Sequence, residues 1–275
     1  MARPSAISSY FAVVGNPAVI RARMAAAAPM LAVRRDRRSR AISRALATAA
    51  SGRLPAQERH WVDRIEERRR ALASREAPTR AGIEPGSQGM PPWAETFGGT
   101  YAIDGLSVMF SIPPDWGRLL MRLVRELAPR SCLELGTAFG ISAAYQAAAL
   151  ELNLGGRLLT LDAAREWGAI AEEGFEVLGL AGRVGFRAGQ IADTLTEVAD
   201  EAAPVDFVFL DAEHQQEPTL EYFEALLPRL SERAVVVLDD IGFPVEMRQA
   251  WRAIRHHERV ASAVGLGRLG IVTIA

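Results

Sequence analysis

The chain has 275 residues, 49% hydrophobic and 24% charged, which is ordinary for a globular protein with one large domain or one domain and an appendage. All 32 lysine-or-arginine positions are arginine, which excludes lysine-dependent phosphate loops, Schiff-base chemistry and a lysine general base. The net charge of −1 argues against a generally polyanionic partner, the single cysteine excludes an intramolecular disulfide, and no segment approaches the roughly 18 apolar residues of a membrane span.

The N-terminal segment is strongly basic. Residues 1–57 contain ten arginines and one acidic residue, Asp36. This composition is typical of a flexible or loosely helical extension, of a targeting sequence or of a segment that binds a charged surface. We interpret residues 1–55 as a basic, flexible leader and keep the other readings as alternatives.

An amphipathic helix and an irregular segment follow. Residues 57–76 place Trp61, Ile65 and Leu72 at helical spacing, with charged residues between them. Residues 77–99 are rich in proline and glycine, which favours a linker or a lid. Residues 56–99 are therefore predicted to form a helix and linker region before the main domain, residues 100–275.

From about residue 112, helical and strand patterns alternate. The pattern predicts helices over 115–127, 141–152, 166–178, 191–201, 218–227 and 245–256, and strands over 132–135, 157–161, 184–187, 205–210 and 234–238. Two further short runs, 260–264 and 269–274, are joined by glycines and predict a terminal hairpin. Strands that alternate with helices of this length predict an α/β fold, in which a mostly parallel sheet is covered by helices on both faces.

One strand-to-helix turn carries a recognisable motif. In residues 131–142, SCLELGTAFGIS, a short strand runs through an acidic residue into a glycine-bounded turn and a helix start. This E-L-G-x-x-x-G-x-S run resembles the first motif of class I S-adenosylmethionine-dependent methyltransferases. Glycine lets the backbone approach a ligand, and the first N–H groups of a helix face anionic or polar groups. The resemblance implies that S-adenosylmethionine contacts Glu134, Gly136, Thr137, Gly140 and Ser142.

The same resemblance implies the complete fold. Class I methyltransferases have a Rossmann-like, seven-stranded, mostly parallel sheet that ends in a C-terminal antiparallel hairpin, with helices on both faces. The resemblance covers about residues 112–275, and an N-terminal helical extension precedes it.

Polar residues follow most of the predicted strands. Ligands of open α/β sheets bind at the carboxyl ends of the strands, so these side chains are candidate cofactor contacts. The resemblance gives the ribose hydroxyls to Asp162, the adenine edge to Gln190 and a further cofactor contact to Asp211. Helix capping is the alternative for any one of them.

The ends of the fourth and fifth strands resemble those of metal-dependent O-methyltransferases of the catechol and caffeoyl-CoA type. That resemblance implies that Asp211, Asp239 and Asp240 bind Mg²⁺ or another divalent cation, although the family has asparagine where this chain has Asp240. The alternative is that these carboxylates diverge, one capping a helix and another contacting substrate.

His214 lies three residues after Asp211, where that family places a lysine general base. A histidine with a pKa near neutrality can take a proton from an acceptor hydroxyl. The alternatives are substrate binding and helix capping. Residues 98–114 are a candidate cover for the site, and Tyr101, Phe110 and Trp116 either line an acceptor pocket or pack in the core.

We therefore expect an S-adenosylmethionine-dependent methyltransferase that O-methylates a small hydroxylated acceptor with divalent-metal assistance. The alternatives are a metal-independent methyltransferase and a nucleotide- or nucleic-acid-binding protein that uses the arginine-rich N-terminus. We do not favour a nucleic acid partner. The lone cysteine is consistent with a cytoplasmic protein, and a homo-oligomer is left open.

Overall fold

The computed structural model describes residues 15–73 and 111–275, so the predicted linker or lid (77–99), Tyr101 and Phe110 lie outside the described residues. The described helices are α1 (Pro17–Ala32), α2 (Arg37–Ser51), α3 (Ala56–Ala73), α4 (Pro114–Leu127), α5 (Ile141–Leu152), α6 (Arg165–Leu178), α7 (Ile191–Ala202), α8 (Gln216–Leu226) and α9 (Val245–Ile254). The strands are β1 (Ser131–Leu135), β2 (Arg157–Asp162), β3 (Val184–Ala188), β4 (Val205–Leu210), β5 (Leu230–Leu238), β6 (Val260–Gly265) and β7 (Gly270–Ile274).

The seven strands form one sheet in the order β3-β2-β1-β4-β5-β7-β6. The first five strands in the chain pair in parallel, whereas β7 pairs antiparallel with both β5 and β6. Neighbouring parallel strands need a crossover connection, and the intervening helices supply it. The predicted fold class and the terminal hairpin are confirmed.

Both faces of the sheet are covered by apolar side chains. Cys132 of β1 belongs to the cluster that includes α1 to α6, and the next residue, Leu133, belongs to the cluster that includes α7, α8 and α9. This alternation follows from the two-residue period of a strand. The buried thiol of Cys132 agrees with its predicted place in a buried strand.

The N-terminal segment differs from the expected flexible leader, because its described part forms two packed helices. α1 and α2 pack against each other and against α4, and Ile20, Met24, Ile42 and Leu46 are buried in the common core. The Asp36 side chain caps α2 by accepting from the backbone N–H of Ser39 at 2.7 Å. Burial of these apolar side chains is the physical reason for the difference. The division of the chain at residue 55 stays a prediction.

Arginines of the basic segment bond to the rest of the chain. Arg21 pairs with Asp115 at 3.2 Å, and Arg44 pairs with Glu126 at 2.7 Å. Carbonyl oxygens accept from two others: Leu266 accepts from Arg23 at 3.1 Å, and Glu232 and Ile274 accept from Arg38 at 2.9 and 2.7 Å. Four of the ten arginines of the segment therefore bond to other parts of the chain.

α3 confirms the predicted amphipathic helix, because Ile65 and Leu72 are buried in the core and Trp61 packs against it. Trp116, a candidate for the acceptor pocket, is fully buried, so core packing is its role. None of the described helices is long and apolar enough to cross a lipid bilayer.

Candidate functional site

The loops after β1 to β5 lie side by side at one edge of the sheet, which we call the rim. At each step, a backbone N–H donates to a carbonyl near the end of the neighbouring strand. These bonds join Gly189 to Asp162, Gly136 to Leu161, Asp211 to Leu135, and Asp239 to Leu210, with N–O distances of 2.9 or 3.0 Å. The backbone bonds thus place the strand-end residues at a common edge of the sheet, as the sequence predicts.

The two glycines of the motif turn are required by the protein's own packing. Gly136 has a φ of +96°, and a Cβ there would lie 1.9 Å from the carbonyl oxygen of Asp211. Gly140 has a φ of +77°, and its Cβ would lie 2.8 Å from the Cβ of Ala171. Their absence of a side chain therefore lets the turn pack against the β4 loop and α6.

Glu134 lies behind the turn, with its carboxylate fully buried. It accepts from the amide of Gln146 at 3.0 Å and from the hydroxyl of Thr160 at 2.7 Å. Burial raises the pKa of Glu134 to about 8, although hydrogen bonds from Ser142 and Thr160 oppose the rise. Glu134 therefore stabilises the motif turn from behind, and its carboxylate is not exposed at the rim.

Thr137 and Ser142 are buried with it. The Thr137 and Thr160 hydroxyl oxygens lie 2.6 Å apart, which ties the turn to β2. Gln190, in contrast, is partly exposed at the start of α7, where its carbonyl accepts from the Thr194 hydroxyl at 2.8 Å. Of these three predicted cofactor contacts, only Gln190 has a side chain that is accessible from outside the protein.

Asp162 joins two loops of the rim. One carboxylate oxygen accepts from the N–H of Ala138 at 2.7 Å, and the other accepts from the N–H of Ala164 at 2.8 Å. Burial raises the pKa of Asp162, and these backbone bonds offset only part of the rise. The backbone N–H groups of Thr137 and Ala163 also interact with this carboxylate, so donors from the loops after β1 and β2 surround it.

His214 stands between two of the predicted metal ligands. Its Nε2 atom lies 3.1 Å from Asp211 Oδ1 and 3.6 Å from Asp240 Oδ2. Burial would lower the pKa of His214, but the hydrogen bond to Asp211 and the nearby carboxylates raise it to about 9. With no acceptor bound, the imidazole is therefore protonated at neutral pH.

Asp239 has a different partner. Arg268, in the turn between β6 and β7, donates to both of its oxygens, with distances of 2.7 Å. The same guanidinium lies 3.6 Å from Asp240 Oδ1. The carboxylates raise the pKa of Arg268 further above its already high value, so its charge is permanent.

This donor set does not fit the expected divalent cation. Mg²⁺ needs oxygen ligands in near-ideal octahedral geometry. Both oxygens of Asp239 are bonded to a guanidinium, and Asp211 and Asp240 both face His214. Within residues 15–73 and 111–275, no three histidine, cysteine, aspartate or glutamate side chains form a metal-binding group.

Arg268 is the site residue that sequence reasoning missed. It lies 29 residues beyond Asp239 and belongs to the hairpin, where the sequence offers only an arginine among glycines. In the structure, Leu238 at the end of β5 pairs with Gly270 at the start of β7. A prediction that β7 pairs with β5 would therefore have placed the β6–β7 turn, with Arg268, near the end of β5.

A cavity of about 950 Å³ lies beside His214 and the start of α8. Its lining includes Leu220 and Pro244 as apolar contacts. Among the residues that the structure describes, its charged lining is acidic apart from His214: Glu213, Glu217, Glu221 and Glu246. An acceptor molecule placed there would contact the imidazole in an electronegative surrounding.

Comparison with known proteins agrees with this fold and motif. A family described as a methyltransferase domain matches residues 133–241. A catechol O-methyltransferase from Niastella koreensis is 35% identical over 131 residues, which cover 47% of this chain and 57% of the relative. The chain spans about half the length of the curated relatives that it matches.

Solved structures of O-methyltransferases share the fold of this chain. An O-methyltransferase from Bacillus cereus in complex with S-adenosylhomocysteine has a TM-score of 0.57 and 23% identity, with 78% of this chain and 91% of that chain covered, which shows the fold. The O-methyltransferase TomG from Streptomyces achromogenes, in complex with S-adenosylmethionine, has a TM-score of 0.52 and 26% identity, with 60% and 82% covered. Together with the motif and the sheet order, these matches show a methyltransferase domain over residues 133–241 and a fold that the chain shares with S-adenosylmethionine-dependent O-methyltransferases.

Proposed function

We propose that the protein transfers the methyl group of S-adenosylmethionine to a hydroxyl oxygen of a small acceptor. The observation that carries this proposal is the rim, where the motif turn, Asp162 and the Asp211–His214 pair lie on neighbouring loops. The similar structures that hold S-adenosylmethionine or S-adenosylhomocysteine support the same cofactor here.

The cofactor would be held by three parts of the rim. The N–H groups at the start of α5, behind Gly140, suit the carboxylate of its methionine part. The Asp162 carboxylate would accept from the ribose hydroxyls, and Gln190 would bond to the adenine edge. Glu134 would act through the turn, because Gln146 and Thr160 already bond to its carboxylate.

In the reaction, the acceptor oxygen attacks the methyl carbon, the carbon–sulfur bond breaks, and the hydroxyl proton must leave. S-adenosylmethionine supplies the activated methyl group as a sulfonium. We assign the proton to His214 in its neutral form, which with a pKa of about 9 is the minor form at pH 7, so turnover should rise with pH up to about 9. Asp211 and Asp240 stabilise the protonated form through contacts at 3.1 and 3.6 Å. A base of this strength suits a phenol-like hydroxyl, whose pKa is about 10.

The cavity beside His214 bears on the acceptor class. Its glutamates disfavour anionic molecules, so a neutral catechol or sugar is a better candidate than a carboxylated phenol. For the nucleic-acid-binding alternative, four of the ten arginines of the basic segment already bond to groups of the chain itself: Arg21, Arg23, Arg38 and Arg44.

Methyl transfer from labelled S-adenosylmethionine to a panel of catechols, sugars and carboxylated phenols tests the proposal. We expect turnover with neutral acceptors and binding of S-adenosylhomocysteine in calorimetry. In His214→Ala, kcat should fall by about 10²- to 10⁴-fold, the usual contribution of a general base, with unchanged S-adenosylhomocysteine affinity.

His256→Ala is the matched control, because His256 is exposed and bonds only to the Arg252 carbonyl among the hydrogen bonds described for its ring. Its kcat should equal that of the unmodified chain. Wild-type turnover in His214→Ala would remove His214 from the mechanism, and absence of S-adenosylhomocysteine binding would contradict the function itself.

A further inference from the structure

We propose that the Arg268 guanidinium takes the place that related O-methyltransferases give to a divalent cation, so that this chain holds its strand-end carboxylates together without a metal. The inference rests on the proposed function, since it concerns the same site. It concerns a residue from the hairpin, outside the matched segment 133–241.

The first support is the geometry of the contact. Nε and Nη2 of Arg268 donate to the two oxygens of Asp239 at 2.7 Å each, and Nε lies 3.6 Å from Asp240 Oδ1. A planar guanidinium matches a carboxylate in this two-bond arrangement. It therefore bridges two of the three carboxylates expected to share a cation.

The second support is the charge of the cluster. Three carboxylates in one place repel one another unless positive charge lies among them. Arg268 supplies one fixed charge, and His214 faces Asp211 and Asp240 from the other side. A divalent ion entering here would meet both cationic side chains and would have to displace Arg268 from Asp239.

The third support is that the fold holds Arg268 in place. Its side chain is only 10% exposed. Its carbonyl accepts from the Ile241 N–H at 2.9 Å. Arg23 of α1 donates to the Leu266 carbonyl at 3.1 Å in the same turn. Arg268 is thus fixed by β5, by the hairpin and by the N-terminal helices, unlike a mobile surface arginine.

Without a metal to bind the acceptor oxygen, the chain's own side chains must orient it. In this arrangement Arg268 is a positioning residue, because it holds Asp239 and Asp240 and does not reach the reacting atoms. The third carboxylate, Asp211, remains with His214 on the side of the cavity.

Binding of Mn²⁺ alone, followed by electron paramagnetic resonance, tests this proposal on the full chain. We expect the wild type to bind Mn²⁺ no more tightly than about 1 mM, as weak sites do. Arg268→Met should free the carboxylates and bind Mn²⁺ at least about tenfold more tightly, since affinity follows the number of available carboxylates. Adding Asp211→Asn to that variant should remove the gain.

Arg229→Met is the matched control. Arg229 makes a similar two-bond contact with Asp200, at 2.7 and 3.2 Å, on the exposed surface away from the rim. Its loss should leave Mn²⁺ binding unchanged. Arg268→Gln replaces the Met variant if the latter fails to fold, with the same criterion.

Two outcomes would overturn the proposal. One is a wild-type chain that takes up one Mn²⁺ with submillimolar affinity and loses it in Asp240→Asn, a result that needs no arginine variant. The other is a folded Arg268 variant, competent to bind S-adenosylhomocysteine, with no gain in Mn²⁺ affinity. Failure of S-adenosylhomocysteine binding in the wild type would instead contradict the proposed function. The Mn²⁺ measurement would still test the role of Arg268, because it needs no cofactor.

Discussion

A single buried carboxylate, Glu134, gives the fold a dependence on pH. Its pKa is raised to about 8 by burial, whereas in the unfolded chain the group ionises near its ordinary value of about 4.3. Between these values the unfolded chain loses a proton that the folded chain keeps. The contribution of Glu134 to stability is therefore full below pH 4 and is lost as pH rises to 8.

We expect Glu134→Gln to remove this dependence, because an amide does not ionise. Between pH 5 and 8, the free energy of unfolding of the wild type should fall relative to the variant by on the order of 3 kcal/mol. The variant amide can also donate to Gln146 Oε1, a buried atom that accepts no hydrogen bond from the residues that the structure describes. Urea unfolding of both proteins at several pH values measures the difference, and parallel curves would contradict the assignment.

For single residues, the sequence predicts the place of a side chain on the sheet better than its burial and its hydrogen-bond partners. Asp162 and Asp211 could be placed at the rim because the carboxyl ends of parallel strands meet at one edge. The depth of Glu134 depends on Gln146 and Thr160, which belong to other elements. Arg268 could not be assigned to Asp239, because their contact joins elements that are distant in the chain.

At the scale of elements, regular alternation made the main domain predictable. The helix over 141–152 and the strand over 205–210 have their predicted bounds, and the helix predicted over 115–127 begins one residue earlier, at Pro114. β5 begins at Leu230, whereas the prediction starts at 234. The pattern missed the first part of this strand because residues 231–233 are polar and its pairing with β4 is irregular there.

The packing of the N-terminal helices into the core was not predicted, for two different reasons. α1 is rich in alanine, which gives little contrast between a buried and an exposed face. α2 does carry a signal, since Ile42, Leu46 and Ala49 recur at helical spacing and are all buried. The high arginine content of the segment favoured a leader over this pattern.

Leu46 tests whether α2 is part of the stable fold. We expect Leu46→Ala to lower the free energy of unfolding by about 2–5 kcal/mol, because the side chain is fully buried and its loss leaves a cavity. Met30→Ala is the control: Met30 is 69% exposed on α1, so the change should stay within about 0.5 kcal/mol. Equal stabilities in urea unfolding would mean that α2 does not support the core.

At the scale of the whole molecule, the N-terminal helices and the sheet share one core. Leu46 of α2 and Phe207 of β4 belong to the same buried cluster. Polar contacts also connect the N-terminal helices to the site. Arg23 of α1 bonds to the turn that carries Arg268, and Arg268 bonds to Asp239. The basic segment therefore contributes to the geometry of the site. The cellular compartment and the oligomeric state stay predictions.

The only thiol of the chain, Cys132, lies on β1 in the middle of the sheet, and burial raises its pKa well above the usual value. Alkylation by iodoacetamide must therefore wait until the sheet opens, so the labelling rate reports the population of opened molecules. Saturation with S-adenosylhomocysteine at about 100 times its dissociation constant should slow labelling about 100-fold. A rate indifferent to this ligand would contradict binding to the folded state. Mass spectrometry of one intrinsic thiol can thus measure cofactor affinity before any acceptor has been found.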